Sequence, residues 1–143
     1  MSADNFRPIM SDIQKQAHPN CVMCSSSNDR GLGLKFILTE NGRVQASFDC
    51  DKVFEGYNDC LHGGITSSLL DSAMTNCLFA HGHQAMTAKL EIRFRHQVNT
   101  GQIAIVRAWI ERSLRPMYIL KAELVQDKQV KVTATGKFME QSD

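Results

Sequence analysis

Residues 64–80, GITSSLLDSAMTNCLFA, decide the fold. At 3.6 residues per turn, Ile65, Leu69, Leu70, Ala73, Met74, Cys77, Leu78 and Phe79 cover most of the helical circumference, and small polar residues fill the remainder. A helix that is apolar nearly all round must be enclosed, so the rest of the chain has to supply its cover. Downstream of the turn His81, Gly82 and His83, four segments alternate apolar and polar residues. They carry Ala88, Leu90, Ile92 and Phe94; then Ala104, Val106, Ala108 and Ile110; then Tyr118, Leu120, Ala122 and Leu124; then Val130, Val132, Ala134 and Phe138. A period of two marks half-buried strands. The connectors 99–102, 113–116 and 126–129 are short, which predicts antiparallel neighbours and excludes crossover helices.

Upstream, GLGLKFIL places Leu32, Leu34, Phe36 and Leu38 on alternate positions, and Asn41-Gly42 signals a hairpin returning through Val44, Ala46 and Phe48. Residues 49–61 show no period and read as a loop. The opening segment spaces Phe6, Ile9, Met10 and Ile13 as one face of a short helix that ends near Ala17. With a single long helix to bury and no second helix to cover the sheet, the sheet must curl around it, so the predicted class is α+β. The predicted organisation is one domain over 1–143, with an N-terminal helix over 1–17 and a core over 18–143.

Composition agrees with one globular domain: 143 residues, 43% hydrophobic and 22% charged. A formal charge of +1 and a pI near 7.7 supply no field that would hold nucleic acid or an anionic membrane by default. No stretch approaches the ~18 apolar residues of a membrane span. MSADNFRPIM lacks the basic and apolar pattern of a secretory signal, and five cysteines are an odd number, so a cytoplasmic protein with reduced thiols is expected.

One formally charged side chain, Asp71, stands in the enclosed helix. A carboxylate there needs a partner, a cleft with water, or a raised pKa. Ser68, Ser72 and Thr75 share its flank, which suggests the wall of a polar cleft; a structural carboxylate bonded to nearby hydroxyls is the alternative. Where the helix begins, His62-Gly63-Gly64 exposes backbone N–H groups that lack intrahelical partners. That is a place for negative charge such as the oxygen of a tetrahedral intermediate, or simply a tight loop-to-helix turn.

LHGGITSSLLDSAM followed by TAKLEIRF resembles the hotdog-fold acyl-CoA thioesterases of the PaaI-like group. HPNCVMCSSSNDRGLGLKF resembles the CxxC-containing opening of one branch of that group, and FEGYNDCLHGG its approach loop. The resemblance implies an antiparallel sheet wrapped around one central helix. It implies Asp71 as nucleophile or general base, the His62-Gly63-Gly64 turn as oxyanion site with His62 orienting the thioester, and Thr87 as a hydroxyl positioning the attacking water. It also implies a site shared between subunits, hence a homodimer or dimer of dimers, with acyl-CoA as substrate and no separate cofactor. The chain departs from the group's pattern at Gly56, where many members carry Asn; at His96-Gln97, where Arg-Pro is common; and at Ser25, where Gly follows the CxxC.

His18, Cys21 and Cys24 could supply three zinc ligands, but structural zinc takes four and no second CxxC exists, so packing thiols and no metal are expected. Arg93, Arg95, Arg107, Arg112 and Arg115 are candidates for CoA phosphates, with none singled out. His81 and His83 are read as ending the helix, and Met86 and Trp109 as packing residues. Hydrolysis of an acyl-CoA thioester is the expected function. The alternatives are a non-catalytic acyl-CoA-binding hotdog module and a hotdog hydratase or dehydratase, whose Asp/His arrangement is not found.

Overall fold

A computed structural model describes residues 3–141, with side chains from Met10 onward. It contains α1 (Ala3–Ala17), β1 (Ile37–Leu38), β2 (Val44–Asp49), α2 (Gly63–Ala80), β3 (Met86–Phe94), β4 (Ile103–Leu114), β5 (Met117–Gln126) and β6 (Gln129–Met139). One antiparallel sheet runs β1-β2-β4-β5-β6-β3, and α2 packs on five of its strands, β2 through β6. This is the expected α+β hotdog layout. On α1, Met10 is buried and Ile13 packs on the core, while the side chains of Phe6 and Ile9 lie outside the described residues.

Every residue of α2 from Leu69 to Ala80 is buried except Asp71. At the less buried start of α2 two hydroxyls return to the helix itself: Ser67 Oγ donates to Gly63 O and Ser68 Oγ to Gly64 O. The stripe beside Asp71 therefore differs from the expected cleft wall, since Ser72 and Thr75 are buried against the protein. Gly136 lets α2 come close to β6. A Cβ there would lie 2.9 Å from Met74 Sδ and 2.7 Å from Phe138 Cε1.

Two local expectations are corrected. The alternating stretch 32–38 keeps its burial pattern, with Leu34, Phe36 and Leu38 inside, but only Ile37–Leu38 joins the sheet. The N–H groups of Leu32 and Leu34 instead donate to Val22 O and Met23 O, so the CxxC segment takes the place of a neighbouring strand. Secondly, β3 and β4 are not neighbours: β3 pairs with β6 at the sheet edge, and β5 and β6 separate it from β4. The link 95–102 must span three strand spacings, roughly 14 Å, which eight residues cover easily. It crosses the end of the sheet under its own bonds. Leu61 N donates to Val98 O, Thr100 N to Asp59 O and Gly101 N to Cys50 O, while the buried Gln126 amide clasps the Asn99 backbone through two 2.8 Å bonds.

The edge strand β3 is largely exposed, with Met86 at 60% and Phe94 at 55%. A long edge with uncovered apolar side chains and unpaired backbone groups invites another strand.

Candidate active site

His62 caps α2: its Nδ1 accepts the Gly64 N–H at 2.8 Å, one of the donors a helix start leaves open. With Nδ1 so engaged, Nε2 is the atom this exposed ring can offer to a ligand. The Gly64 N–H is thereby occupied, whereas the Gly63 N–H has no partner among the described residues. Gly56 abuts the ring, where an added Cβ would meet His62 Cδ2 at 3.1 Å. Asn58, two residues further on, is exposed and donates its amide to Asp59.

Asp71 is half-buried, two and a half helical turns further on. Thr87, near the start of β3, donates its hydroxyl to Asp71 Oδ1 at 2.6 Å. The register of β3 slips between Thr87 and Lys89, a bulge at the point where the strand meets α2. Thr87 ties one carboxylate oxygen and leaves Oδ2 available. Asp71 and Gly63 sit eight residues apart on one helix, about 12 Å along its axis at 1.5 Å per residue. A carbonyl group in contact with both would need them within about 6 Å. Within one chain, then, the structure joins Asp71 to Thr87 and joins His62 to Gly63 and Gly64, but does not bring the two groups together.

Beside the start of α2 lies a mainly apolar cavity of about 620 Å³, lined by Tyr57, Leu61, Gly63, Phe94, Arg95 and Val98 among others. The sequence reading missed Tyr57 and Val98, which belong to aperiodic stretches; Phe94 was legible only as the last alternating residue of its strand. Of the five arginines that are candidates for CoA phosphates, Arg95 alone lines this cavity, while Arg107 pairs with Glu123 at 3.6 Å and Arg115 with Glu140 at 3.1 Å.

The other candidates have structural surroundings. His81 caps the end of α2, and its Nε2 lies 2.8 Å from Gly42 O. His83 stacks on Tyr118, whose hydroxyl donates to Glu140. Trp109 carries the Arg43 guanidinium 4.2 Å above its ring. Burial pushes the thiols of Cys24 and Cys50 up to about 11 and that of Cys77 to about 12, so these are poor nucleophiles.

Comparison with known proteins places the chain in a family. Residues 58–133, just over half of the chain, match the thioesterase superfamily. Acyl-coenzyme A thioesterase THEM4 of Bos taurus is 25% identical over 145 residues; the match covers 96% of this chain, which spans 60% of that relative's length. The E. coli PaaI protein from the phenylacetic acid degradation operon superposes with a TM-score of 0.76 at 18% identity, covering 94% of this chain and 96% of its own. Protein smu.793 from Streptococcus mutans UA159, solved bound to acetyl CoA, gives 0.71 at 17% identity, with 77% of this chain and 90% of that one covered. On the strength of the family match, supported by a fold shared with solved hotdog proteins, this chain belongs to the thioesterase superfamily.

Proposed function

We propose that the protein hydrolyses an acyl-CoA thioester to the free acid and CoA, in a site shared by two copies of the chain. The observation that carries this reading is the Asp71–Thr87 pair, a carboxylate with one oxygen pinned at 2.6 Å beside an uncovered edge strand. The resemblance to a bovine acyl-CoA thioesterase and the acetyl CoA bound by the streptococcal neighbour support the substrate class.

In this scheme Thr87 fixes Oδ1 so that Oδ2 faces the substrate. Acting as general base, Oδ2 takes a proton from water as the oxygen attacks the thioester carbonyl carbon. Acting as nucleophile, it forms an anhydride that water then opens. The carbonyl oxygen gains negative charge and is held by the Gly63 N–H at the positive end of α2 of the other copy, with His62 Nε2 orienting the thioester. The Gly64 N–H joins only when His62 swings off its cap. The tetrahedral intermediate collapses, the C–S bond breaks, and the CoA thiolate leaves with its electron pair. The cavity beside α2 receives an apolar part of the substrate, with Arg95 at its margin for phosphate. Pairing of β3 with its counterpart would cover Met86 and Phe94 and set Asp71 against the opposite turn, giving a homodimer or a dimer of dimers. No cofactor enters the scheme, and five free thiols suit a reducing, cytoplasmic setting.

The test is release of free CoA from a panel of acyl-CoAs. Wild-type protein should turn over at least one of them. Asp71→Asn should lose about 10²- to 10⁴-fold in turnover while still binding acyl-CoA and melting normally. Near-normal turnover with a collapsed thermal midpoint would make Asp71 a structural carboxylate. Binding without turnover by wild-type protein would make the chain an acyl-CoA-binding module.

A further inference from the structure

After α1 the chain folds back on itself in two successive turns, Cys21 N donating to His18 O and Ser25 N to Cys21 O. These turns gather His18, Cys21 and Cys24 so that one ring nitrogen and both sulfurs lie within 4.8 Å of one another. His18 Nδ1 stands 3.7 Å from Cys24 Sγ. A tetrahedral ion with bonds of about 2.3 Å to sulfur and 2.05 Å to nitrogen has N···S edges near 3.6 Å and S···S edges near 3.8 Å. One edge is already at coordination spacing, and the others need side-chain adjustments of about an ångström.

The surroundings are built rather than incidental. The His18 ring is held edge-on against Phe79, with centroids 5.0 Å apart at 89°. The Met23 N–H is aimed at Cys21 Sγ at 3.3 Å, a donor that a thiolate exploits more than a thiol does. From α2, the buried Asn76 donates its amide Nδ2 to Ser72 O at 2.9 Å. Simple packing of thiols does not account for a ring nitrogen gathered with both sulfurs and a backbone N–H aimed at one of them.

We propose that His18 Nδ1, Cys21 Sγ and Cys24 Sγ bind one zinc ion, with a water molecule as fourth ligand. Binding displaces one proton from each thiol to solvent, so the site carries two thiolates and a neutral imidazole around the dication. Three protein ligands and one water leave the site open rather than closed. The ion ties the end of α1 to the 18–25 turn, and it stands apart from the hydrolytic steps. Its spacing is unlike that of a redox pair alone, because the histidine completes one face of the tetrahedron.

The experiment uses untagged, full-length protein, reduced and stripped of metal, titrated with Zn²⁺ against a chromogenic chelator and separately with Co²⁺. One equivalent of zinc should bind, and the cobalt form should show thiolate-to-metal charge transfer with the visible bands of a tetrahedral ion. Cys21→Ser should weaken zinc binding at least a hundredfold. Cys60→Ser, a thiol outside the cluster, should bind as wild type. Absence of the charge-transfer band in wild-type protein overturns the proposal. So does stoichiometric zinc binding unchanged in Cys21→Ser. The cobalt spectrum requires no variant to fold, and neither readout depends on hydrolytic activity.

Discussion

Mixing two inactive variants tests whether the site is divided between copies. Asp71→Asn removes the carboxylate. Gly63→Val places a branched side chain over the free N–H at the start of α2, and a Cβ at Gly63 meets only the Phe94 ring, Cζ at 3.7 Å and Cε1 at 3.8 Å, ordinary contacts, so the fold should tolerate it. Each variant alone should lose at least ~10²-fold in turnover, the scale of removing a positioned base or an oxyanion donor. The eight residues between Asp71 and Gly63 hold them about 12 Å apart along α2, so a working site takes one group from each copy. Co-refolded in equal amounts, the variants should assort into heterodimers for about half of the dimers. Each heterodimer has one site built from the intact Asp71 of one chain and the intact His62-Gly63-Gly64 of the other, and a second site with both lesions. Activity should therefore recover to about a quarter of the wild-type value. CoA release is measured on the mixture, with heterodimer content counted by native mass spectrometry. If heterodimers form and the mixture remains as inactive as its parents, both groups act within one chain and the argument from helix length fails.

Thr87→Val should lower turnover by roughly ten- to a hundredfold, since a hydrogen bond to a charged group is worth about 1.5–3 kcal/mol, and Thr87→Ser should restore most of it; equal activity in all three would show that the bond to Asp71 does not position the carboxylate. The Tyr118 hydroxyl and the Arg115 guanidinium hold the Glu140 carboxyl below its ordinary value of 4.5. The sign follows from linkage: this stabilisation is complete above the unfolded value and is lost as pH falls through the lower folded one. The gap in thermal midpoint between wild type and Glu140→Gln should thus narrow as pH is taken down through the carboxylate range, and a gap that widened toward acid would refute the assignment.

What the sequence determined by itself is what depends on local period. Side-chain direction repeats every 3.6 residues in a helix and every two in a strand, so the enclosed helix, the alternating strands and the inward faces at Val44, Ala46, Phe48, Tyr118, Leu120 and Phe138 could be read before any contact was known. The isolated carboxylate at Asp71 and the paired glycines after His62 were legible too, because a charge in an apolar helix and two glycines at its start break an otherwise regular pattern. Tertiary structure decided everything that depends on competition for partners. A short connector cannot reveal that β3 passes β4 and pairs with β6, because strand pairing is non-local and is settled by which edge remains open once α2 is seated. Alternation at Leu32 and Leu34 fixed their faces, but the 18–25 turn captured their N–H groups before a strand could. His62 takes the Gly64 N–H because a helix start leaves donors unsatisfied and the imidazole is the nearest acceptor. The same competition set Thr87 on Asp71 from sixteen residues away: a hydrogen bond belongs to two groups, and the chain's periodicity describes only one of them.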